Sequence, residues 1–134
     1  MKWLIPLAFI LGAQMACADV CTIYSENHKG DPAYLMGTVD GVTVYLGNHI
    51  NDGEYIAGTF QGNSIFFRSK NGSADLAGTL RGTSVYMSDD SLAYEVRADG
   101  IFAPNALVPG ENQVASSLNC TTIQAAAGAL LLFN

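Results

Sequence analysis

One eleven-residue phrase is written three times in this chain. It runs from Leu35 to Tyr45 (LMGTVDGVTVY), from Ile56 to Phe66 (IAGTFQGNSIF) and from Leu76 to Tyr86 (LAGTLRGTSVY), with starts 21 and 20 residues apart. Each copy reads as an apolar residue, a second apolar and mostly small one, Gly-Thr, an apolar residue, a Gly-bearing turn, a hydroxyl residue, a β-branched residue and an aromatic. Self-similarity at a fixed period constrains architecture more than any local pattern does. A degraded fourth copy is expected over 92–102, where Leu92-Ala93 and Val96-Arg97 persist but Tyr94-Glu95 replaces Gly-Thr.

Turn signals punctuate the chain about every ten residues. They include Asp40-Gly41, Asn51-Asp52-Gly53, Gln61-Gly62, Arg81-Gly82, Ser88-Asp89-Asp90 and Asp99-Gly100. Between them lie runs rich in Val, Ile, Tyr, Phe and Thr, as successive antiparallel hairpins require. The expected fold class is all-β: an antiparallel meander of about eight short strands, closed or strongly curled into a small barrel so that its edges are not left open. The alternative is a parallel β-solenoid with one copy per rung.

A two-residue turn at Asp40-Gly41 would place Thr38 opposite Thr43 and Met36 opposite Tyr45. It would likewise pair Thr59 with Ser64 and Thr79 with Ser84. The expected core face carries Leu35, Val39, Val42 and Val44, then Ile56, Phe60, Ile65 and Phe67, then Leu76, Leu80, Val85 and Met87. The opposite face carries hydroxyls (Thr38, Thr43, Thr59, Ser64, Thr79, Ser84) beside a stripe of aromatics (Tyr45, Phe66, Tyr86).

The first residues read as a leader. Lys2 precedes an apolar stretch, Trp3 to Ala13, that is too short to span a bilayer, and Ala16-Cys17-Ala18 offers a small-x-small cleavage pattern. Cleavage after Ala18 is expected, leaving one domain over 19–134 in a secreted or periplasmic setting. Lipid anchoring through Cys17 is the weaker alternative, because Gln14 occupies the position where a lipoprotein signal carries Leu. Cleavage leaves Cys21 and Cys120, expected as a disulfide in an oxidising compartment. Residues 113–134 are apolar and nearly uncharged. They read as a helix covering one end of the sheet, although Thr121–Gln124 also matches a strand pattern.

The net charge of −6 argues against nucleic acid and anionic lipid as partners. His28 and His49 read as surface residues in turns. Asn51–Glu54 and Asp89-Asp90 lack the alternating acid spacing of a calcium loop, so no metal, cofactor or catalytic residue is assigned. Arg68, Lys70 and Arg81 bring bases into the repeats, and Asn71-Gly72-Ser73 and Asn119-Cys120-Thr121 match glycosylation sequons. The expected function is a non-enzymatic module that binds a protein or a small apolar or sugar-like ligand through Tyr45, Phe66, Tyr86, Thr43, Ser64 and Ser84. Self-association into an envelope or matrix component is the second reading, and an enzyme the third.

Overall fold

A computed structural model describes residues 20–68, 75–104 and 111–133; the expected leader, Lys70 and the Asn71 sequon lie outside them. Ten strands run in sequence order: β1 (Cys21–Ser25), β2 (Leu35–Asp40), β3 (Thr43–Leu46), β4 (Ile56–Gln61), β5 (Ser64–Phe67), β6 (Asp75–Arg81), β7 (Ser84–Met87), β8 (Leu92–Arg97), β9 (Gly100–Pro104) and β10 (Glu111–Leu118). One helix, α1 (Thr122–Leu132), follows. The strands form a closed antiparallel barrel in which β1 pairs with both β2 and β10. The barrel expectation holds and the solenoid does not. The strand count is ten rather than about eight, because β1 and β10 complete the ring.

Each copy of the phrase folds as one hairpin, and the degraded copy forms the fourth, β8–β9. The register differs from the expected one. Asp40 faces Thr43, Gln61 faces Ser64 and Arg81 faces Ser84, so the turns are Gly41-Val42, Gly62-Asn63 and Gly82-Thr83. The physical reason is the position of glycine. Gly41, Gly62 and Gly82 have φ of 61°, 60° and 66°, and none of the residues after them does. Glycine at the first of two turn positions, followed by a residue with ordinary φ, is the type II′ pattern; Asp-Gly would instead need positive φ at both.

Pairing is regular within every hairpin and shifts by one residue between hairpins. At four seams the extra residue is the one before the Gly-Thr position, Met36, Ala57 and Ala77, with Ala93 in the fourth copy, and at the β9–β10 seam it is Val114. Such bulges bend a strand and increase its twist, so a bulge at each seam curls the meander until it closes. The fifth hairpin is split. Its arms, β10 and β1, come from opposite ends of the domain, and the Cys21–Cys120 disulfide stands where the other hairpins have a turn.

The C-terminal segment corrects another expectation. β10 covers 111–118, Thr121 caps α1, and the helix enters the barrel instead of covering one end. Thr121 accepts from the Gln124 backbone N–H and Gln124 returns a bond to the Thr121 backbone, a capping box. Gln124 Nε2 also donates to the Gly41 carbonyl, 3.1 Å away, which docks the helix start on the first turn. Ala125 to Leu130 are all buried. About eight strands make a barrel that side chains alone can fill; this wider ring is filled by a helix about 16 Å long.

Glycine makes the room. A Cβ on Gly78 would collide with the Tyr86 carbonyl oxygen and lie 2.7 Å from Leu130. One on Gly58 would collide with the Phe66 carbonyl oxygen and lie 2.8 Å from Leu131, and one on Gly37 would collide with both Leu132 and the Tyr45 carbonyl oxygen. Three consecutive leucines therefore sit over the glycines of three consecutive repeats. On the β1 side the fit is reversed: Gly128 of the helix receives Ile23, whose Cγ1 would lie 2.7 Å from an added Cβ. Around these contacts the core gathers Val39, Val44, Ile65, Leu80, Val85, Val96 and Ile101. Val42, Leu76 and Phe67, expected in the core, are 53 %, 43 % and 37 % exposed. Val42 lies in the corrected turn, Leu76 is turned outward across the bulge from Phe66, and Phe67 sits at the rim.

Two measurements test this packing. Gly58→Ala should lower stability by about 1–3 kcal/mol through overpacking against the Phe66 carbonyl and Leu131, whereas Gly53→Ala, with open space and ordinary φ, should stay within about 0.5 kcal/mol; equal midpoints in urea would contradict the close packing around Gly58. Reducing Cys21–Cys120, which closes a separation of 99 residues, should remove about 4–5 kcal/mol in the chain-entropy model, read as a lower denaturation midpoint in reductant.

Candidate functional site

Because the lumen is occupied by α1, the surfaces left open are the outer wall and the rims. The hydroxyl and aromatic residues expected to share a face do so, outside the barrel, but the corrected register arranges them in slanted rows. The first row crosses four strands as Thr22, Thr38, Tyr45 and Ile56. The second is Thr43, Thr59, Phe66 and Leu76, and the third Ser64, Thr79, Tyr86 and Leu92. In the fourth, Ser84, Glu95, Phe102 and Gln113, an acid replaces the second hydroxyl. Each of the first three rows thus steps from hydroxyls through a ring to an aliphatic residue, the fourth ends on the Gln113 amide, and the stagger of a closed sheet sets the slant.

The rows are not equally accessible. Tyr45 is only 8 % exposed, and Thr38, its cross-strand neighbour, donates its hydroxyl to the Gly47 carbonyl at 3.2 Å. Tyr86 is half-buried beneath Arg81, whose guanidinium lies 4.5 Å from the ring centroid and pairs with Asp90 at 2.6 Å. Arg97 lies over Phe102 in the same manner, 4.8 Å from the centroid. Ser84 and Thr83 both donate to Glu95, which ties the hydroxyl end of the fourth row to β8. In the second row the position equivalent to Arg81 is Gln61, which carries no charge. There Phe66 lines an open depression of about 670 Å³ with Val42, Thr59, Gln61 and Gly62.

Of the expected ligand residues, Phe66 therefore faces an open surface, Tyr86 and Ser84 are engaged by neighbours, and Tyr45 is packed. Thr43 and Ser64 are half-buried hydroxyls at the start of the second and third rows. Thr59, Val42 and Gln61 complete the Phe66 depression. Thr59 belonged to the sequence-level hydroxyl stripe, but the other two become visible only once the turn is placed at Gly41-Val42.

Electrostatics add little chemistry to the wall. The Ser91 hydroxyl and backbone N–H hold Asp89 below its ordinary range. Burial pushes the Tyr94 hydroxyl above its ordinary value of 10.0. Tyr94 occupies the position that Gly78 holds in the third copy, pairs with Val85 and packs into the core. No group of three or more His, Cys, Asp or Glu side chains able to hold a metal occurs among the described residues. No protein-family model, curated protein or solved structure matches the chain.

Tyr94 yields a signed prediction. The fold holds its proton more tightly than the unfolded chain does, so this contribution to stability is present below pH 10 and is lost as pH rises through the raised value. Tyr94→Phe should flatten that alkaline loss in thermal melts between neutral and strongly basic pH; an unchanged slope would contradict the buried phenol.

Proposed function

We propose that this chain is an exported, non-catalytic binding module whose recognition surface is the Phe66 depression of the outer wall, lined by Val42, Thr59 and Gln61. One observation carries this reading. α1 takes the interior, while Phe66 stays open between a hydroxyl, an amide and an exposed valine. A flat ring bordered by Thr59 and Gln61 suits a small apolar or sugar-like group, stacked on the ring and oriented by two polar side chains. The exported setting rests on the leader over 1–18 together with the disulfide, since disulfides persist in oxidising compartments. No helix of the described residues is long and apolar enough to cross a membrane. The closed ladder of β1–β10 leaves no free sheet edge for pairing with another copy, which favours the binding reading over self-assembly through edges.

Titration with an uncharged naphthylamine dye and with simple sugars tests the reading. Phe66→Ala should weaken binding at least tenfold, as truncation of an aromatic anchor does, while costing about 1 kcal/mol of stability through lost cross-strand packing. Thr43→Ala should leave binding intact. Equal binding by wild type and Phe66→Ala would remove the proposed surface.

A further inference from the structure

Two rim loops repeat one motif. Asn27-His28-x-x-Asp31-x-x-Tyr34 joins β1 to β2, and Asn48-His49-x-x-Asp52-x-x-Tyr55 joins β3 to β4. Their backbones match bond for bond. His28 N–H donates to the Ser25 carbonyl at 3.2 Å and His49 N–H to that of Leu46 at 3.3 Å; Tyr34 N–H donates to Asp31 at 2.9 Å and Tyr55 N–H to Asp52 at 3.0 Å. Asp31 Oδ1 accepts from Ala33 N–H and Asp52 Oδ1 from Glu54 N–H, capping equivalent 3₁₀ turns. In both loops the imidazole stacks on the tyrosine, with centroids 3.7 and 3.8 Å apart and planes 13° and 12° apart.

The aspartate caps and backbone bonds already close these turns, so the paired rings exceed what loop shape requires. The rings are also exposed: Tyr34 is 41 % and Tyr55 36 % accessible. Between the loops lie Met36 and Leu46, themselves 36 % and 45 % exposed, brought together by the Gly47 N–H bond to the Met36 carbonyl. The loops are two strands apart on the ring, so the two ring pairs stand about 10 Å from each other at the strand spacing of a sheet. That distance is close to one disaccharide unit of an extended sugar chain.

The charge around the rings selects the ligand further. The loops carry Glu26, Asp31, Asp52 and Glu54 against two cations, Lys29 and Arg68, whose guanidinium donates to the Glu54 carbonyl at 2.9 Å, an acidic excess that disfavours a polyanion. Against a polycation stand neighbours that already draw on these acids: Asp31 and Asp52 each accept a backbone N–H on Oδ1, His28 Nε2 lies 3.6 Å from Glu26, and the Arg68 cation is bound at Glu54. We propose that the twin loops are two subsites, built on the same stacked His–Tyr pair, for a neutral linear polysaccharide, with one sugar seated on each pair. The sugar's C–H face lies on the ring, and its hydroxyls donate to Glu26 and Asn27 in one loop and to Glu54 and Asn48 in the other. This site is separate from the Phe66 depression and does not depend on it.

The test uses neutral β-linked glucose and N-acetylglucosamine oligomers, as disaccharides and as chains long enough to reach both loops, titrated calorimetrically. For the long chains, Tyr34→Ala and Tyr55→Ala should each lower affinity by about 10²-fold, the gain expected from joining two subsites, and the double variant should abolish binding. For the disaccharides each single variant should halve the stoichiometry at unchanged affinity. Tyr34→Phe and Tyr55→Phe keep the stacks and should retain binding, which separates loss of a subsite from loss of fold. Absence of binding to every neutral oligomer, preference for oligolysine, or a loss confined to one loop would each overturn the proposal. Loss of oligomer binding in Phe66→Ala with intact loops would assign the sugar to the wall instead.

Discussion

The seating of Leu130, Leu131 and Leu132 on Gly78, Gly58 and Gly37 is the contact on which the rest of the architecture depends. A ten-stranded ring is too wide to be filled from its own walls, and an empty apolar interior would forfeit the dispersion contacts that stabilise a core. The helix supplies the missing volume. The glycines, one in each of the three full copies, let its side chains approach the strand backbone. Where the wall carries a large side chain, at Ile23, the helix answers with Gly128. The complementarity is reciprocal, so neither the helix nor the wall can be enlarged independently.

From that constraint follows the division of the molecule into an inert interior and an informative exterior. Alternation along each strand sends Val44, Ile65 and Val85 inward, so Tyr45, Phe66 and Tyr86 must face out. The seam bulges then turn Ile56, Leu76 and Leu92 outward beside them. The wall becomes a repeated lattice of hydroxyl, ring and aliphatic groups. Local events decide which cell of that lattice is open: the Gly47 carbonyl engages Thr38 beside Tyr45, and Arg81 roofs Tyr86.

Much of this is legible in the residues, and the misses have physical causes. The repeat and the shared face of hydroxyls and aromatics opposite the core follow from period and alternation, and the disulfide pair from the two cysteines that remain once the leader is set aside. The turn position does not, because Asp40-Gly41 satisfies the preference for two positive φ angles while the chain uses glycine first and an ordinary residue second. The strand count falls short because β1 holds only the second half of a copy. Its Thr22-Ile23-Tyr24 repeats Thr43-Val44-Tyr45, a signal present but short. The helix has no polar face among Ala125–Leu130, and a helix apolar all round belongs in an interior; period alone cannot say that the interior is a barrel lumen. Considered one at a time, His28 and His49 look like ordinary turn residues, and only their alignment with Asp31, Tyr34, Asp52 and Tyr55 reveals the duplicated loop.

The sulfur link at the β10–β1 seam has a consequence for how the polypeptide relates to its own shape. With that bond in place the wall is a ring of five hairpins, one of them joined through side chains instead of backbone. Where the ribosome starts is then a matter of bookkeeping: the same circle could be cut at any other bend and rejoined here. What the natural cut determines is which strand carries the helix, and therefore the end from which the barrel is filled.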